Sequence, residues 1–287
     1  MTRRPLAANL LTDVINAMVD VILSSGEPEP VEVVRADGRS DYFLTCDHAG
    51  HAIPERLGTL GLDEVDLRRH IAWDIGAAGI SRRLSELLDA ALVLQHYSRL
   101  VVDCNRRPSA EDFIAELSEN TVVPGNQGVS DAERAARQAE IFDPYHGAIS
   151  DLLDARAAAG RQTAYVAVHT CTPVYHGVHR PWHVGVLYDK DDRLAQLVLQ
   201  CLRREDELVV GENQPYFLSH ERDYSVPVHA EERGSLHIEF EVRQDLVESP
   251  AGQRLWGDRL AAALVEAGQA MGLSASIQEE TGNSAAG

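Results

Sequence analysis

The chain has 287 residues, 44% of them hydrophobic, with a formal net charge of −19. That length and apolar content suit one large globular α/β domain with a sizeable core. The charge argues against nucleic acid and anionic membrane as partners, since both need a basic surface. An anionic substrate would need arginines gathered locally against the general field.

In chain order, Arg3 and Arg4 precede an apolar stretch with the look of a secretion signal, but Asp13, Asn16 and Asp20 interrupt it. No small-residue cleavage site follows. Leu10, Leu11, Val14, Ile15, Met18 and Ile22 recur at helical spacing, which predicts an amphipathic helix packed on the domain. No apolar run approaches the roughly 20 residues of a membrane span. The charged Pro/Gly stretch "GEPEPVEVVRADGRSD" predicts a connector, so residues 1–35 form helix and connector, 36–273 the main domain, and 274–287 a disordered tail. "YFLTC" predicts a short buried strand, and "DIGAAGISRRLSELLDA" a helix opened by Asp74, a carboxylate at its positive end. "ALVLQHYS" and "RLVVDCN" read as two strands meeting near Ser98, followed by a loop over 108–128 of the kind reserved for lids or binding loops. A long helical region follows, broken or kinked at Pro144. "TAYVAVHT" and "WHVGVLYD" predict strands, "RLAQLVLQCLRRE" a helix, "SLHIEFEVRQDL" a strand and "GQRLWGDRLAAALVEAGQAM" a closing helix. Cys46, Cys104, Cys171 and Cys201 show no CxxC pairing and read as small apolar residues in a reducing, cytoplasmic setting.

Alternating strands and helices predict an α/β fold, a mostly parallel mixed sheet with helices on both faces. In such sheets the ligand site lies outside the carboxyl ends of the strands. His48 sits just past "YFLTC", His169 at the end of "YVAVHT", and Asn105 and Arg106 follow "RLVVDCN". These polar groups therefore reach one sheet edge. A catalytic zinc takes three His or carboxylate ligands and leaves one position open. His48 and His169 are the imidazole candidates. The carboxylate is Asp74, Asp47 or an acid of the last strand. Asp74 is preferred, because neighbours leaving a strand, as Asp47 and His48 do, point to opposite faces. In the last strand His237, Glu239, Glu241 and Arg243 share one face, and an acid there beside a metal would serve as general base. His229, in "VPVHAEERG", is a weaker site candidate.

"CDHAGHAIP", "HIAWDIGA", "SRLVVDCNR", "VHTCTP" and "EVRQDL" occur in the order found in the N-formylglutamate amidohydrolase family, which the chain resembles from about Asp41 to Ala267. The blocks are specific jointly and weak singly. The resemblance implies a fold like that of zinc carboxypeptidases and zinc amidases. It implies hydrolysis of an N-formyl or related N-acyl amide of an acidic amino acid, releasing formate or another small acid. It also implies one zinc ion on His48, Asp74 and His169, with Glu241 at the position of the base and Glu239 an additional acid. His51 stands where the HxxE motif of carboxypeptidases carries glutamate. Arg99, Asn105, Arg106 and Arg243 lie within or beside these blocks, and the arginines are the candidates for holding substrate carboxylate bidentately. Arg107 reads as a surface neighbour. Two other classes fit the same residues: a zinc amidase for a bulkier acylated amino acid or peptide, and a metal-free binding protein of this fold.

Overall fold

The computed structural model describes residues 21–275. The expected N-terminal helix up to residue 20 and the tail beyond residue 275 lie outside them. Seven strands form one sheet: β1 (Val31–Val34), β2 (Tyr42–Cys46), β3 (Ala91–Gln95), β4 (Ala164–Cys171), β5 (Val184–Leu187), β6 (Val210–Glu212) and β7 (Leu236–Arg243). Their spatial order is β1-β3-β2-β4-β7-β5-β6. Strands β3, β2, β4 and β7 run parallel. β1 closes one edge antiparallel to β3, and β5 and β6 run the other way beyond β7. The sheet is thus the mostly parallel α/β arrangement expected. Its central strands are buried on both faces, which is why "YFLTC" and "AYVAVHTC" read as continuous apolar runs.

Four main helices cover it: α1 (Ala77–Leu88), α2 (Asp143–Ala158), α3 (Arg193–Leu202) and α4 (Pro250–Met271). α1, α3 and α4 pack on one face over Leu44, Leu92, Val166, Val168, Phe240 and Val242. α2 and the long loops cover the other face over Phe43, Val93, Tyr165 and Ala167. α4 has a full set of end signals. The Ser249 side chain accepts from Gly252 N, Pro250 occupies the first turn, and Gly272 ends the helix in the left-handed region at φ 71°. The interruption expected at Pro144 is a π-helical turn, Gln138–Phe142, which ends just before α2 and leaves Pro144 in a first turn that tolerates it. Among the described residues no helix is long and apolar enough to cross a membrane.

Three expectations change. The connector stretch contributes β1, because "VEVV" finds an edge beside β3. "RLVVDCN" is not a strand: Leu100, Val101 and Val102 are buried through turns, with Val101 N donating to Ser98 O at 2.9 Å. Asp74 does not open α1. It sits in the preceding turn, where its carbonyl accepts from Ala77 N at 3.1 Å. The chain leaves β2 toward β3 on one side and returns through β4 on the other, so the topological switch point lies at the carboxyl end of β2.

Candidate metal centre and catalytic cavity

His48 comes two residues after β2 ends. The turn that carries it is compact because residue 50 is glycine: a Cβ there would collide with the His96 carbonyl. Ala52 N donates to that same carbonyl at 3.2 Å, and Asp74 N donates to His48 O at 3.0 Å. His169 lies inside β4 on the face shared by Tyr165 and Ala167, opposite Glu241 of β7 in register. Glu239 and Glu241 point to that face as well, while Phe240 and Val242 fill the core beneath the helices opposite.

The side chains converge in a definite order. Asp74 Oδ2 lies 2.9 Å from His169 Nδ1 and 3.4 Å from His48 Nδ1, and it accepts from Thr170 N at 3.3 Å. The outward nitrogens each meet a second carboxylate: His48 Nε2 lies 2.8 Å from Asp103 Oδ1, and His169 Nε2 lies 3.3 Å from Asp47 Oδ2. Those carboxylates are anchored in turn. Asp103 accepts from Arg99 Nη2 at 2.6 Å and Asn105 N at 2.9 Å, and Asp47 accepts from Tyr145 Oη at 2.6 Å and Ser225 Oγ at 2.8 Å. A carboxylate on the outer nitrogen takes the imidazole proton there and turns the other nitrogen into a lone-pair donor. Both Nδ1 atoms then face the Asp74 carboxylate, an arrangement relieved by a cation shared among the three groups or by a second proton on each ring. His48, Asp74 and His169, all buried with ligand atoms within 4.8 Å of one another, therefore fit a metal ion. Glu239 Oε2 and Glu241 Oε2 are buried without a hydrogen-bond partner, and His169 Nε2 and Asp47 Oδ2 face each other at 3.3 Å outside hydrogen-bond geometry.

Electrostatics follow from this geometry. Burial opposes ionisation of Asp74, yet His48 and His169 hold its carboxyl well below the usual range. Burial likewise opposes charge on His169, but Glu239, Asp47 and Asp74 drive its pKa well above the ordinary value. Burial pushes Glu239 and Glu241 up to about 8, against the pull of His169.

These groups open on a cavity of about 240 Å³ lined by His48, Asp74, Arg99, Asn105, Arg106, His169, Glu239 and Glu241. Arg243 is not on its wall. β7 ends there, and the guanidinium pairs with Asp245 at 2.7 Å and donates to the Arg180 and Pro181 carbonyls. Asn105 lines the cavity as a clip, its Oδ1 accepting from Tyr224 N and Ser225 N at 3.1 Å each. Arg99 is bound to Asp103 and lies 3.5 Å from Asp74; Arg106 is held at 2.8 Å by Asp112 and 2.9 Å by Asp223. His229 stands apart, stacked on His146. Sequence reading missed Asp103, although it directly precedes the Cys104-Asn105 pair, and missed Asp112, Tyr216, Phe217 and Asp223 on the cavity wall.

A mostly parallel sheet with two histidines and an aspartate at its switch point, beside two buried glutamates, puts a candidate catalytic site at the carboxyl end of an α/β fold. The chain belongs to the N-formylglutamate amidohydrolase family, whose pattern matches residues 40–248. It is similar to a gene product of Agrobacterium tumefaciens at 36% identity and a TM-score of 0.85, over 88% of this chain and 99% of that one. It also shares its fold with the N-formylglutamate amidohydrolase of Ralstonia eutropha JMP134, at 17% identity and a TM-score of 0.53, over 84% of this chain and 98% of that one. No curated protein matches the chain.

Proposed function

We propose that this protein is a metal-dependent amidohydrolase that cleaves the N-formyl, or a related small N-acyl, amide of an acidic amino acid such as N-formylglutamate. The observation that carries the reading is the pair of Nδ1 atoms aimed at one carboxylate, with each outer nitrogen on its own acid. His48, Asp74 and His169 would hold the ion, zinc by the donor set. When bound, it supplies charge that polarises an amide carbonyl and makes water acidic. Glu241 is the preferred base. Glu239 stands on the Nε2 side of His169, 3.9 Å away, whereas Glu241 lies opposite His169 in register and feels the charges of His169, Asp74, Arg180 and Arg99. Its Oε2, without a partner, would take the proton from water in the ionised form, which the charge of a bound ion favours against burial, and return it to the leaving nitrogen. Arg99 and Arg106 orient the substrate carboxylates, and Tyr216 and Phe217 narrow the cavity around the acyl group.

One feature favours a second substrate class. Arg99 and Arg106 already face two carboxylates each, so a dicarboxylate substrate must compete with resident acids. An N-acyl amino acid with a neutral side chain needs only one such contact. Both readings are tested by screening zinc-loaded protein against N-formyl and N-acetyl amino acids with detection of the released amine. The acidic reading expects kcat/KM for N-formylglutamate to exceed that for N-formylglutamine by about tenfold or more, the worth of one charge-assisted hydrogen bond. Equal values favour the neutral class. No hydrolysis of any N-acyl amino acid by protein carrying zinc would overturn the amidohydrolase proposal.

A further inference from the structure

We infer that Asp189, His220 and Glu231, with His237 behind Glu231, form a second divalent-cation site, separate from the catalytic cavity, which fastens the cavity loop to the end of β5 and the π turn beside it. Four separate segments bring these side chains together. Asp189 follows β5, His220 lies in the loop 213–226, Glu231 ends the π turn Pro227–Glu231, and His237 is the second residue of β7. Ligand atoms of Asp189, His220 and Glu231 lie within 4.8 Å of one another. His220 Nε2 contacts Glu231 Oε2 and lies 3.7 Å from Asp189 Oδ2. Glu231 also meets Lys190, whose backbone N donates to Oε1 at 3.1 Å and whose exposed Nζ lies 3.9 Å from Oε2.

His237 is the observation that calls for a cation. The residue is 1% exposed, and its Nδ1 lies 3.1 Å from the Ser235 carbonyl, which can only accept. The proton of the neutral ring is therefore on Nδ1, and Nε2 is a bare lone pair. That lone pair lies 3.1 Å from Glu231 Oε1 and makes no hydrogen bond. Two acceptors facing each other in a buried place are costly unless a positive charge joins them. One imidazole nitrogen and two carboxylates, with the His237 nitrogen facing one of those carboxylates, make a donor set that suits zinc rather than calcium or magnesium.

The site has a structural use. Loop 213–226 puts Tyr216, Phe217, Arg222 and Asp223 on the cavity wall. The loop is also held by hydrogen bonds from Arg107 Nε to His220 O, from Arg180 Nη2 to Tyr216 Oη, and from Tyr224 N and Ser225 N to Asn105 Oδ1. A cation on His220 would tie the middle of that loop to the π turn through Glu231 and to the end of β5 through Asp189.

The test is zinc titration of the chelator-stripped full chain in competition with a chromophoric chelator. Wild type is expected to take two equivalents, His48→Ala one, His220→Ala one, and the combined variant none. Asp189→Asn, at an exposed position, should weaken the second equivalent without disturbing folding, which circular dichroism checks. In His48→Ala, the remaining equivalent should raise the melting temperature, and His220→Ala should abolish that rise. A wild type that takes a single equivalent, lost on His48→Ala, overturns the second site and leaves the catalytic centre standing. Identical titrations of His220→Ala and wild type overturn it as well. Two equivalents retained in His48→Ala would instead contradict the catalytic metal site.

Discussion

Two pairs of buried histidines sit at almost the same spacing and do opposite things. The rings of His48 and His169 are 5.0 Å apart and edge-on; those of His146 and His229 are 5.1 Å apart and stacked. The first pair is ringed by Asp47, Asp74 and Asp103, which hold both imidazoles toward the charged form despite burial. The second pair has one hydrogen bond between its rings, Nδ1 to Nε2 at 2.8 Å, and the Cys104 carbonyl on the far side at 2.8 Å. Burial pushes His146 down to about 4 and His229 to about 3, so both are neutral at ordinary pH. The carboxylates decide the difference. An imidazole pair packed among Phe142, Tyr145 and Tyr224 is a core element, and the same pair around an aspartate makes a candidate cation site.

The largest expected effect comes from breaking the acidic pair. His48→Ala or His169→Ala should each remove the catalytic zinc and lower hydrolysis by roughly 10³-fold or more, because several kcal/mol of charge stabilisation disappear. Metal content and kcat/KM read this directly. Glu241→Gln should keep zinc and lose about 10²–10⁴-fold in kcat, the usual worth of a general base. Glu239→Gln should be milder, and a reversed ranking would move the base to Glu239. Asp103→Asn should weaken zinc binding by about 10–100-fold with the ligands intact, measured by chelator competition.

The neutral pair makes a smaller, pH-dependent prediction. Its folded pKa values lie below the ordinary histidine value near 6.5, so the unfolded chain binds protons first as pH falls. Stability from this pair is complete above about pH 6.5 and declines toward pH 4, by about 1.4 kcal/mol per pH unit for each proton. Replacing both residues, as in His146→Phe with His229→Phe, should flatten the urea midpoint against pH over that window. An unchanged slope would mean the pair is charged in the folded state. Arg243→Lys should have the least effect, with KM within about threefold, since the pair with Asp245 lies off the cavity wall.

How much of this the sequence shows depends on which rule each residue obeys. β2 and β4 are legible because buried parallel strands are continuous apolar runs, and the switch-point rule then brings His48 and His169 to one edge. Asp103 is hidden because Leu100, Val101 and Val102 are buried by turns rather than by a strand, and burial alone imitates a strand in the sequence. β1 is hidden for the opposite reason. Its four residues are an edge strand between prolines and charges, with Val33 exposed. Alternation along β7 places Glu239 and Glu241 correctly on the face of the site. It fails at Arg243, the last residue of the strand, where a 3₁₀ turn, Gln244–Leu246, begins and Asp245 captures the guanidinium. Nothing local in the sequence marks Asp47 and Asp103 as the partners of the outer nitrogens, because that assignment needs the distances.

The most direct test of the central claim is a zinc-edge anomalous diffraction map of crystals of zinc-loaded protein. The expected result is a peak bounded by Nδ1 of His48, Nδ1 of His169 and Oδ2 of Asp74, with the Nε2 atoms still on Asp103 and Asp47. Fully loaded crystals with no peak among those three side chains, or with zinc on the Nε2 atoms, would contradict it.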